Sequence, residues 1–303
     1  MKVAYSCVVD GIPKFEWQAF LWAQSLVRNA RCDRRDLYLH CLPSVSQEFR
    51  QLVARMGMQV VEVKPFPGHP YCNKIEQCSG DAFSGYEAAV LCDCDLFFNS
   101  SPELPLTFEF AGTTVDLPNP PLPVVNHIYK LRGVQPSIRV PARCALSRSE
   151  CTLRSNLNGG FYLLGTHLMN VIGEQWRTNA LWLLDRVHLL RGYEPHVDQV
   201  AMALTLDQLA INVTLLPQTI NSPVHLPAER LMANLSEEIA VIHYHSQMQF
   251  DTGKIQRTNV VSVDKAIDKA NASIREILSA SEGDAEFQRW RDSLFADSRS
   301  SKC

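Results

Sequence analysis

The stretch Tyr86–Asn99, YEAAVLCDCDLFFN, decides how the rest of the chain is interpreted. Apolar residues fill most of it, and two aspartates that flank a cysteine interrupt them. A nearly continuous apolar run predicts a strand buried on both faces, as inside a mostly parallel sheet. Because side chains alternate along a strand, we expect Asp93 and Asp95 on one face and Cys94 on the other.

Two carboxylates on one face of a buried strand repel each other and lose hydration. A cation between them relieves both costs, and a hard divalent ion with oxygen ligands fits best. The alternative is an irregular strand end that carries two solvated aspartates, because Asp-x-Asp is a common pattern. From charge and burial alone, Asp93 and Asp95 leave both interpretations open.

The first hundred residues alternate between strand and helix patterns. We predict strands at Val3–Val9, Asp36–Leu42 and Met58–Val63, helices at Pro13–Asn29 and Ser46–Met56, and a helix or helical turn at Lys74–Gly85. Repeated strand-helix-strand units indicate a parallel sheet with helices on its faces. Ligands of such sheets bind beyond the carboxyl ends of the strands. The residues near such ends, which together favour a metal and phosphate site, are Asp10, Gly11, Lys74, Asp93 and Asp95.

The middle of the chain is less regular. Between residues 102 and 148 lies a segment with prolines at 118, 120, 121 and 123, which suit neither a helix nor a strand interior. It is either a functional loop or lid, or a surface excursion without a role. Regular structure returns at Asn156–Gly165, NLNGGFYLLG, where Gly159 and Gly160 either let the backbone approach a ligand closely or form a simple turn. Phe161–Leu164 then reads as a strand.

The last part of the chain adds two helices, two strands and a helical tail. The predicted helices are Gly173–Leu190 and Pro195–Leu206, the strands are Ile211–Leu216 and Ala240–Tyr244, and the tail is Val263–Phe295. His243 and His245 flank Tyr244 and are expected on one face of the last strand. Two histidines at a strand end are either ligands or satisfied structural residues.

Composition excludes several classes of protein. The chain has 303 residues, of which 46% are hydrophobic and 20% charged, so it can bury a large core. A formal net charge of -3 argues against a nucleic-acid partner held by bulk electrostatics. No apolar segment reaches the roughly 18 residues of a membrane span, and the N-terminus reads as a strand rather than a signal peptide.

The ten cysteines lack paired spacing, which is typical of reduced thiols in a cytoplasmic protein. The sequence disfavours a zinc cluster of Cys72, Cys78, Cys92 and Cys94. Its spacing matches no familiar zinc motif, and two of the four cysteines lie in the apolar strand.

Five motifs in order resemble a nucleotide-sugar-dependent glycosyltransferase of the GT-A fold. They are Asn73-Lys74-Ile75, VLCDCDLFF, NLNGGFYLLG, His196-Val197-Asp198-Gln199 and VIHYH, and the resemblance covers about residues 1 to 250. The chain is most similar to retaining members of the glycogenin and lipopolysaccharide galactosyltransferase type. The resemblance implies an α/β, Rossmann-like sandwich with a central, mostly parallel sheet flanked by helices. It implies one catalytic domain over 1–260, with a donor-binding half at about 1–100 and an acceptor-side half at about 101–260, and a C-terminal helical extension over 261–303.

The resemblance also implies roles for individual residues. Asp93, Asp95 and His243, with His245 as the alternative to His243, would hold Mn²⁺ or Mg²⁺. The residues implied to bind the nucleotide sugar are Asp10, Lys74, Asp93, Asp95, Gly159 and Lys254. The residues implied near the reacting sugar are Asn158, Asp198 and Gln199. Ser246 to Phe250 separates the histidines from Gly253-Lys254, the only remnant of the Gly and Lys-Pro-Trp stretch that follows more closely in the family.

The function that the resemblance implies is transfer of a hexose, with retention, from a UDP- or GDP-sugar to a glycan or other hydroxyl acceptor, as in polysaccharide biosynthesis. Two alternatives remain. One is a sugar-phosphate nucleotidyltransferase or metal-dependent hydrolase that uses the same aspartates. The other is a catalytically silent protein that only binds a nucleotide sugar. The sequence leaves the acceptor and the oligomeric state open.

Overall fold

The structure, a computed structural model, describes residues 1–232 and 238–300. The strands are β1 Val3–Val9, β2 Leu37–Cys41, β3 Gln59–Glu62, β4 Ala88–Cys92, β5 Leu96–Phe98, β6 Phe110–Thr114, β7 Arg139–Pro141, β8 Cys151–Leu153, β9 Leu157–Gly165, β10 Val213–Leu215, β11 Ser222–Pro223 and β12 Val241–His243. The helices are α1 Pro13–Arg28, α2 Gln47–Arg55, α3 Leu122–Arg132, α4 Met169–Leu184, α5 Val197–Gln208, α6 Ala228–Met232, α7 Val261–Ser281 and α8 Ala285–Ser300.

The central sheet has seven strands in the order β10-β6-β9-β4-β1-β2-β3. All of them run parallel except β9, which is antiparallel to both of its neighbours, β4 and β6. The predicted mostly parallel α/β sheet flanked by helices is confirmed. Because β9 is reversed, its amino end lies beside the carboxyl ends of β4 and β6. This edge of the sheet carries the candidate site.

The acidic run is not one strand, and the prediction that it is continuous is wrong. β4 ends at Cys92, residues 93 to 95 form a turn, and β5 then joins a separate three-stranded sheet in the order β11-β12-β5. The strand alternation expected for Asp93, Cys94 and Asp95 therefore does not apply. The cause is a long-range pairing, since β5 runs antiparallel to β12 and Leu96 lies opposite His243.

The helix or helical turn predicted at Lys74–Gly85 is present with different bounds. The structure has a 3-10 helix at Pro70–Cys78, with His69 as its N-cap. Gly80 and Gly85 adopt left-handed φ angles of 76° and 88°, which a helix cannot contain. The helical segment therefore ends before these glycines and begins earlier than the sequence pattern indicated.

The segment 102–148 is more regular than its prolines indicated. It contributes β6 to the central sheet and includes α3 together with the β7–β8 hairpin. Pro123 lies in the first turn of α3, where the missing N–H is not needed, and Gly133 ends the helix in a left-handed conformation. Only the stretch before α3 keeps the irregular character that the prolines predicted.

Two hydrophobic cores lie on the two faces of the sheet. The first contains side chains of α1, α2, α7 and α8, and the second contains those of α3, α4 and α5. Trp290 of α8 is fully buried against Phe20 and Phe49, and its indole N–H donates to the Glu16 carboxylate at 3.0 Å. The helices beyond residue 260 thus share a core with the sheet. The predicted division into a catalytic domain over 1–260 and a C-terminal extension over 261–303 stays a prediction. Across the described ranges, no helix combines the length and apolar character needed to span a bilayer.

Candidate active site

A cleft of about 730 Å³ opens at the edge of the sheet where β1, β4 and β6 end. Its walls include most of the residues singled out in the sequence: Asp10, Lys74, Asp93, Asp95, Asn158, Gly159, Asp198, Gln199, His243 and His245. Lys254 does not line the cleft, and its side chain is exposed. Residues from position 10 to position 245 therefore meet in one space.

Asp10 marks the end of β1 in this cleft. Its carboxylate accepts hydrogen bonds from the backbone N–H of Gly11 at 2.7 Å and from the hydroxyl of Ser44 at 2.9 Å. These bonds hold the loop after β1 to the loop after β2. Asp10 thus fixes one wall of the cleft and keeps a carboxylate at its surface.

The two aspartates of the acidic turn face different partners. Asp93 forms an ion pair with Lys74. Asp95 lies beside two histidines, with its Oδ1 atom 3.2 Å from Nε2 of His243 and its Oδ2 atom 4.0 Å from Nδ1 of His245. The turn therefore divides the two carboxylates between a lysine and a histidine cluster.

Lys74 is a buried cation at the centre of the cleft. Its ammonium group pairs with Asp93, donates to the carbonyl oxygen of Gly159 at 2.7 Å and lies 3.9 Å from Oδ2 of Asp198. Burial opposes the charge on Lys74, but the Asp93 and Asp198 carboxylates outweigh it and raise its pKa. One lysine thus compensates two carboxylates from distant parts of the chain.

Asp198 lies in the first turn of α5. Burial raises the pKa of its carboxyl group to about 6, against the opposing effect of Lys74. The backbone carbonyl of Asp198 accepts a hydrogen bond from the Trp176 indole at 2.7 Å, which ties α5 to α4. The backbone of α5 is therefore anchored at Asp198, whose carboxyl group changes its charge close to physiological pH.

The amides of Asn158 and Gln199 are held by hydrogen bonds to the protein. Asn158 donates to Oδ2 of Asp116 at 3.0 Å and accepts from the Gly160 N–H at 2.9 Å. Gln199 donates to the carbonyl of Asn119 at 3.2 Å. Both side chains are thus fixed at the floor of the cleft, beside Lys74 and Asp198.

His243 and His245 lie against each other. Their ring centroids are 3.7 Å apart and the ring planes differ by 23°. β12 ends at His243, and His245 has a left-handed φ of 50°, so the expected alternation along one strand is wrong. The turn after β12 nevertheless brings both imidazoles to Asp95.

The charges in this cluster depend on one another. Burial disfavours a charged His243, but the Asp95 carboxylate outweighs it and raises the pKa of His243. Burial would raise the pKa of Asp95, and the nearby His243 instead lowers it well below its usual range. Burial and the neighbouring His243 lower the pKa of His245 to about 2. At neutral pH His245 is therefore a neutral imidazole.

The donor atoms of this cluster fit a divalent transition metal. One ligand atom from each of Asp95, His243 and His245 lies within 4.8 Å of the other two. The ring nitrogens on the Asp95 side are Nε2 of His243, at 3.2 Å from Oδ1, and Nδ1 of His245, at 4.0 Å from Oδ2. A carboxylate with two imidazoles suits Mn²⁺ better than Mg²⁺, which prefers oxygen ligands. Asp93 lies outside this triad because Lys74 holds it.

Two residues of the cleft were missed by sequence reasoning. Asp116 lies two residues after β6, and the stretch FAGTTV before it, with a glycine and two threonines, gave a weaker strand signal than the run before Asp93. Burial raises the pKa of Asp116 against the opposing charge of Arg143. His225 follows β11, a strand of two residues that no sequence pattern marks.

Gly160 makes room for His243. A Cβ atom on Gly160 would lie 2.6 Å from Cε1 and Nδ1 of His243 and 2.7 Å from Oδ1 of Asn221, distances that real atoms do not share. The absent side chain lets the imidazole lie directly on β9. The sequence predicted that this Asn-Gly-Gly segment lets the backbone approach a ligand; at Gly160 the close contact is with His243 of the protein itself.

Gly160→Ala is therefore expected to displace His243 and weaken the metal site. We expect Mn²⁺ affinity to fall about tenfold or more, as for loss of close support of a ligand, and the free energy of unfolding to fall by about 1–3 kcal/mol from overpacking. Calorimetric Mn²⁺ titration and urea unfolding measure the two effects. Gly283→Ala is the matched control, since its Cβ would meet no atom within 4 Å. Equal Mn²⁺ affinities of the two variants would contradict this role of Gly160.

No protein-family model matches the chain, and no curated protein sequence matches it. Solved structures do resemble it. The galactosyltransferase LgtC in complex with donor and acceptor sugar analogues has a TM-score of 0.53 and 11% identity, over 89% of this chain and 95% of that one. An active-site mutant of LgtC has a TM-score of 0.52 and 12% identity, over 89% of this chain and 95% of that one. The apo structure of the bifunctional glycosyltransferase WbbM has a TM-score of 0.51 and 13% identity, over 92% of this chain and 51% of that one.

These likenesses establish the fold. The chain has the GT-A-type architecture that the order of its motifs predicted. At identities of 11% to 13% they say nothing further about the chemistry of this chain. The chemistry has to be argued from the side chains of the cleft.

Proposed function

We propose that this protein is a metal-dependent glycosyltransferase that moves a sugar from a nucleoside diphosphate sugar to a hydroxyl group of an acceptor. The observation that carries the proposal is the cluster of Asp95, His243 and His245 at the carboxyl edge of a GT-A-type sheet. It opens into the same cleft as the ion pair of the buried Lys74 with the half-buried Asp93. A cation and a metal-ligand set side by side suit a diphosphate.

The metal triad faces the diphosphate in this proposal. Asp95, His243 and His245 would hold Mn²⁺, which when bound neutralises the charge of the departing nucleoside diphosphate. Asp93 keeps Lys74 charged and in position, so the lysine adds a second positive group beside the leaving phosphates or the sugar. Asp10, at the end of β1, is proposed to contact the nucleoside.

The floor of the cleft is proposed to orient the donor sugar. Asn158, Gly159, Asp198 and Gln199 present amide, backbone and carboxylate groups there, and sugar hydroxyls are recognised by such groups. The fixed Asn158 and Gln199 amides lower the entropic cost of positioning. Lys254 has no part in this proposal, because it is exposed outside the cleft.

Retention of configuration is proposed on the resemblance to retaining glycosyltransferases. Asp198 is the group that could overturn it, since a carboxyl with a pKa of about 6 is suited to act as a general base in an inverting reaction. Its Lys74 neighbour stabilises the carboxylate and so makes it a weaker base. Proton NMR of the first-formed product gives the anomeric configuration, and an inverted product would assign the base role to Asp198.

The acceptor is proposed to enter on the open side of the cleft. Tyr71 lines that side with 56% of its surface exposed, and a flat aromatic ring suits the face of a sugar. The segment 102–148 contributes Val115, Asp116, Leu117 and Asn119 to the walls. This supports a functional role for the segment over a surface excursion, with the acceptor a glycan or another hydroxyl compound.

Calorimetry with UDP and with GDP, each with and without Mn²⁺, tests the proposal. We expect one of the two nucleotides to bind, and its affinity to fall about tenfold or more when EDTA removes the metal. A screen of the UDP- and GDP-sugars should then show transfer, or slow donor hydrolysis without acceptor. Metal-dependent binding without either reaction would indicate a silent binding protein. Turnover of a nucleoside triphosphate with a sugar phosphate would indicate a nucleotidyltransferase.

The cysteines support the predicted cytoplasmic location. Leaving Cys144 aside, the eight other cysteines in the described part of the chain are free thiols, and six of them are buried. Free thiols persist in a reducing compartment. A cytoplasmic enzyme would have direct access to nucleotide sugars, in keeping with the proposed donor, and a role in polysaccharide biosynthesis is part of the same proposal.

A further inference from the structure

A second group of ligand atoms lies next to the metal triad. One atom from each of Asp116, His225 and His245 lies within 4.8 Å of the other two. The rings of His225 and His245 are in edge contact, with centroids 3.9 Å apart. This second triad, Asp116–His225–His245, shares only His245 with the first triad, Asp95–His243–His245.

Asp116 supplies a buried oxygen that lacks a partner. The residue is 8% exposed, and its Oδ2 atom accepts the hydrogen bond from Asn158. Its Oδ1 atom has no hydrogen-bond partner among the residues that the structure describes. A buried carboxylate oxygen without a partner is unfavourable, and a bound cation would satisfy it.

His245 offers nitrogen atoms to both triads. Its Nδ1 atom faces Asp95 at 4.0 Å, whereas Nε2 is buried without a hydrogen-bond partner in the described ranges. His225 is exposed at the cleft, so the second triad is open to an incoming ion. Two imidazoles and one carboxylate form the ligand set of many zinc sites with an open position.

We propose that Asp116, His225 and His245 form a second metal site, able to hold Zn²⁺, that competes with the first triad for His245. A neutral imidazole has one lone pair, because its other nitrogen carries the proton. His245 can therefore complete only one triad at a time. Zn²⁺ at the second triad leaves the first with Asp95 and His243 alone, and so weakens Mn²⁺ binding there. Thermodynamic linkage requires Mn²⁺ to weaken Zn²⁺ binding by the same factor.

Removing the first triad isolates the second for measurement. In a His243→Ala background, we expect Zn²⁺ to bind one high-affinity site, measured by competition with a chromophoric chelator. Adding His225→Ala should weaken this binding about tenfold or more, whereas adding His127→Ala should leave it unchanged. His127 is an exposed histidine of α3 outside the cleft. Equal Zn²⁺ affinity of the His243→Ala protein with and without His225→Ala would overturn the proposal.

Asp116→Asn in the same background is a second probe that keeps the shape of the side chain. It should also weaken Zn²⁺ binding about tenfold or more, with thermal unfolding as the check that each protein is folded. An unchanged affinity in a folded Asp116→Asn variant would likewise refute the site. These titrations contain no nucleotide or sugar, so their failure would leave the proposed transferase function standing.

Competition between the ions has its own readout. Electron paramagnetic resonance of free Mn²⁺ gives the Mn²⁺ dissociation constant with and without one equivalent of Zn²⁺. We expect Zn²⁺ to raise this constant about tenfold in the otherwise unaltered protein and much less in His225→Ala. An equal effect of Zn²⁺ on both proteins would show direct displacement from the first triad and would refute the shared-ligand mechanism.

Discussion

Replacing Asp95 by asparagine is expected to reduce sugar transfer by about a thousandfold or more, which corresponds to about 4 kcal/mol in the activation free energy. Asp95 is the only carboxylate of the first triad, and its two oxygens face His243 and His245. Asparagine keeps the shape but removes the charge that holds a divalent ion beside the histidines. The loss of metal removes the main stabilisation of the leaving diphosphate.

The fold should survive this substitution. Loss of the Asp95 carboxylate removes the group that raises the pKa of His243, so the buried imidazole can become neutral instead of remaining an unpaired cation. We expect the free energy of unfolding without metal to change by less than about 2 kcal/mol. Transfer rates at saturating donor and limiting Mn²⁺, with urea unfolding, measure both effects. Asp251→Asn, an exposed carboxylate outside the cleft, is the control. Asp95→Asn activity within tenfold of that control would refute the metal triad.

Lys74→Met is expected to have the largest effect on stability. Methionine fills a similar volume but leaves Asp93 and Asp198 without their shared cation and Gly159 without its donor. Removing one partner of a buried ion pair costs about 3–5 kcal/mol, because the remaining charge is uncompensated. We expect a loss of this size in the free energy of unfolding at pH 8, together with loss of transfer.

The loss should shrink as the pH falls. The pKa of Asp198 is about 6, above its ordinary value, so the folded protein keeps a proton between about pH 4 and pH 6 that the unfolded chain has released. Ionisation of Asp198 therefore lowers stability as the pH rises through this window. Without Lys74 its pKa rises further, and the carboxyl becomes neutral at a higher pH.

Urea unfolding at pH 8 and pH 5 measures this dependence. We expect the difference between the original protein and Lys74→Met to be smaller at pH 5, where a protonated Asp198 no longer needs the lysine. Lys265→Met, an exposed lysine of α7, should cost less than about 0.5 kcal/mol at either pH. A pH-independent loss for Lys74→Met would show that packing, and not charge, accounts for its effect.

The sequence by itself determined the parallel core and the edge where the site lies. β1, β2, β3 and β4 are each a local run of apolar residues, and each run ends where a loop begins. Asp10 and Asp93 directly follow such strands. Because parallel strands end at one edge, their meeting in one cleft required no knowledge of distant contacts.

The tertiary structure alone decided which side chains face each other. Asp93 turns to Lys74 and Asp95 to the histidines because β5 leaves the central sheet to pair with β12, more than a hundred residues later in the chain. The reversed strand β9 brings Gly160 against His243 by the same kind of contact. Strand periodicity fixes a side chain's face only while the strand continues, and the pairings that end β4 and begin β5 are made by residues far away in the sequence.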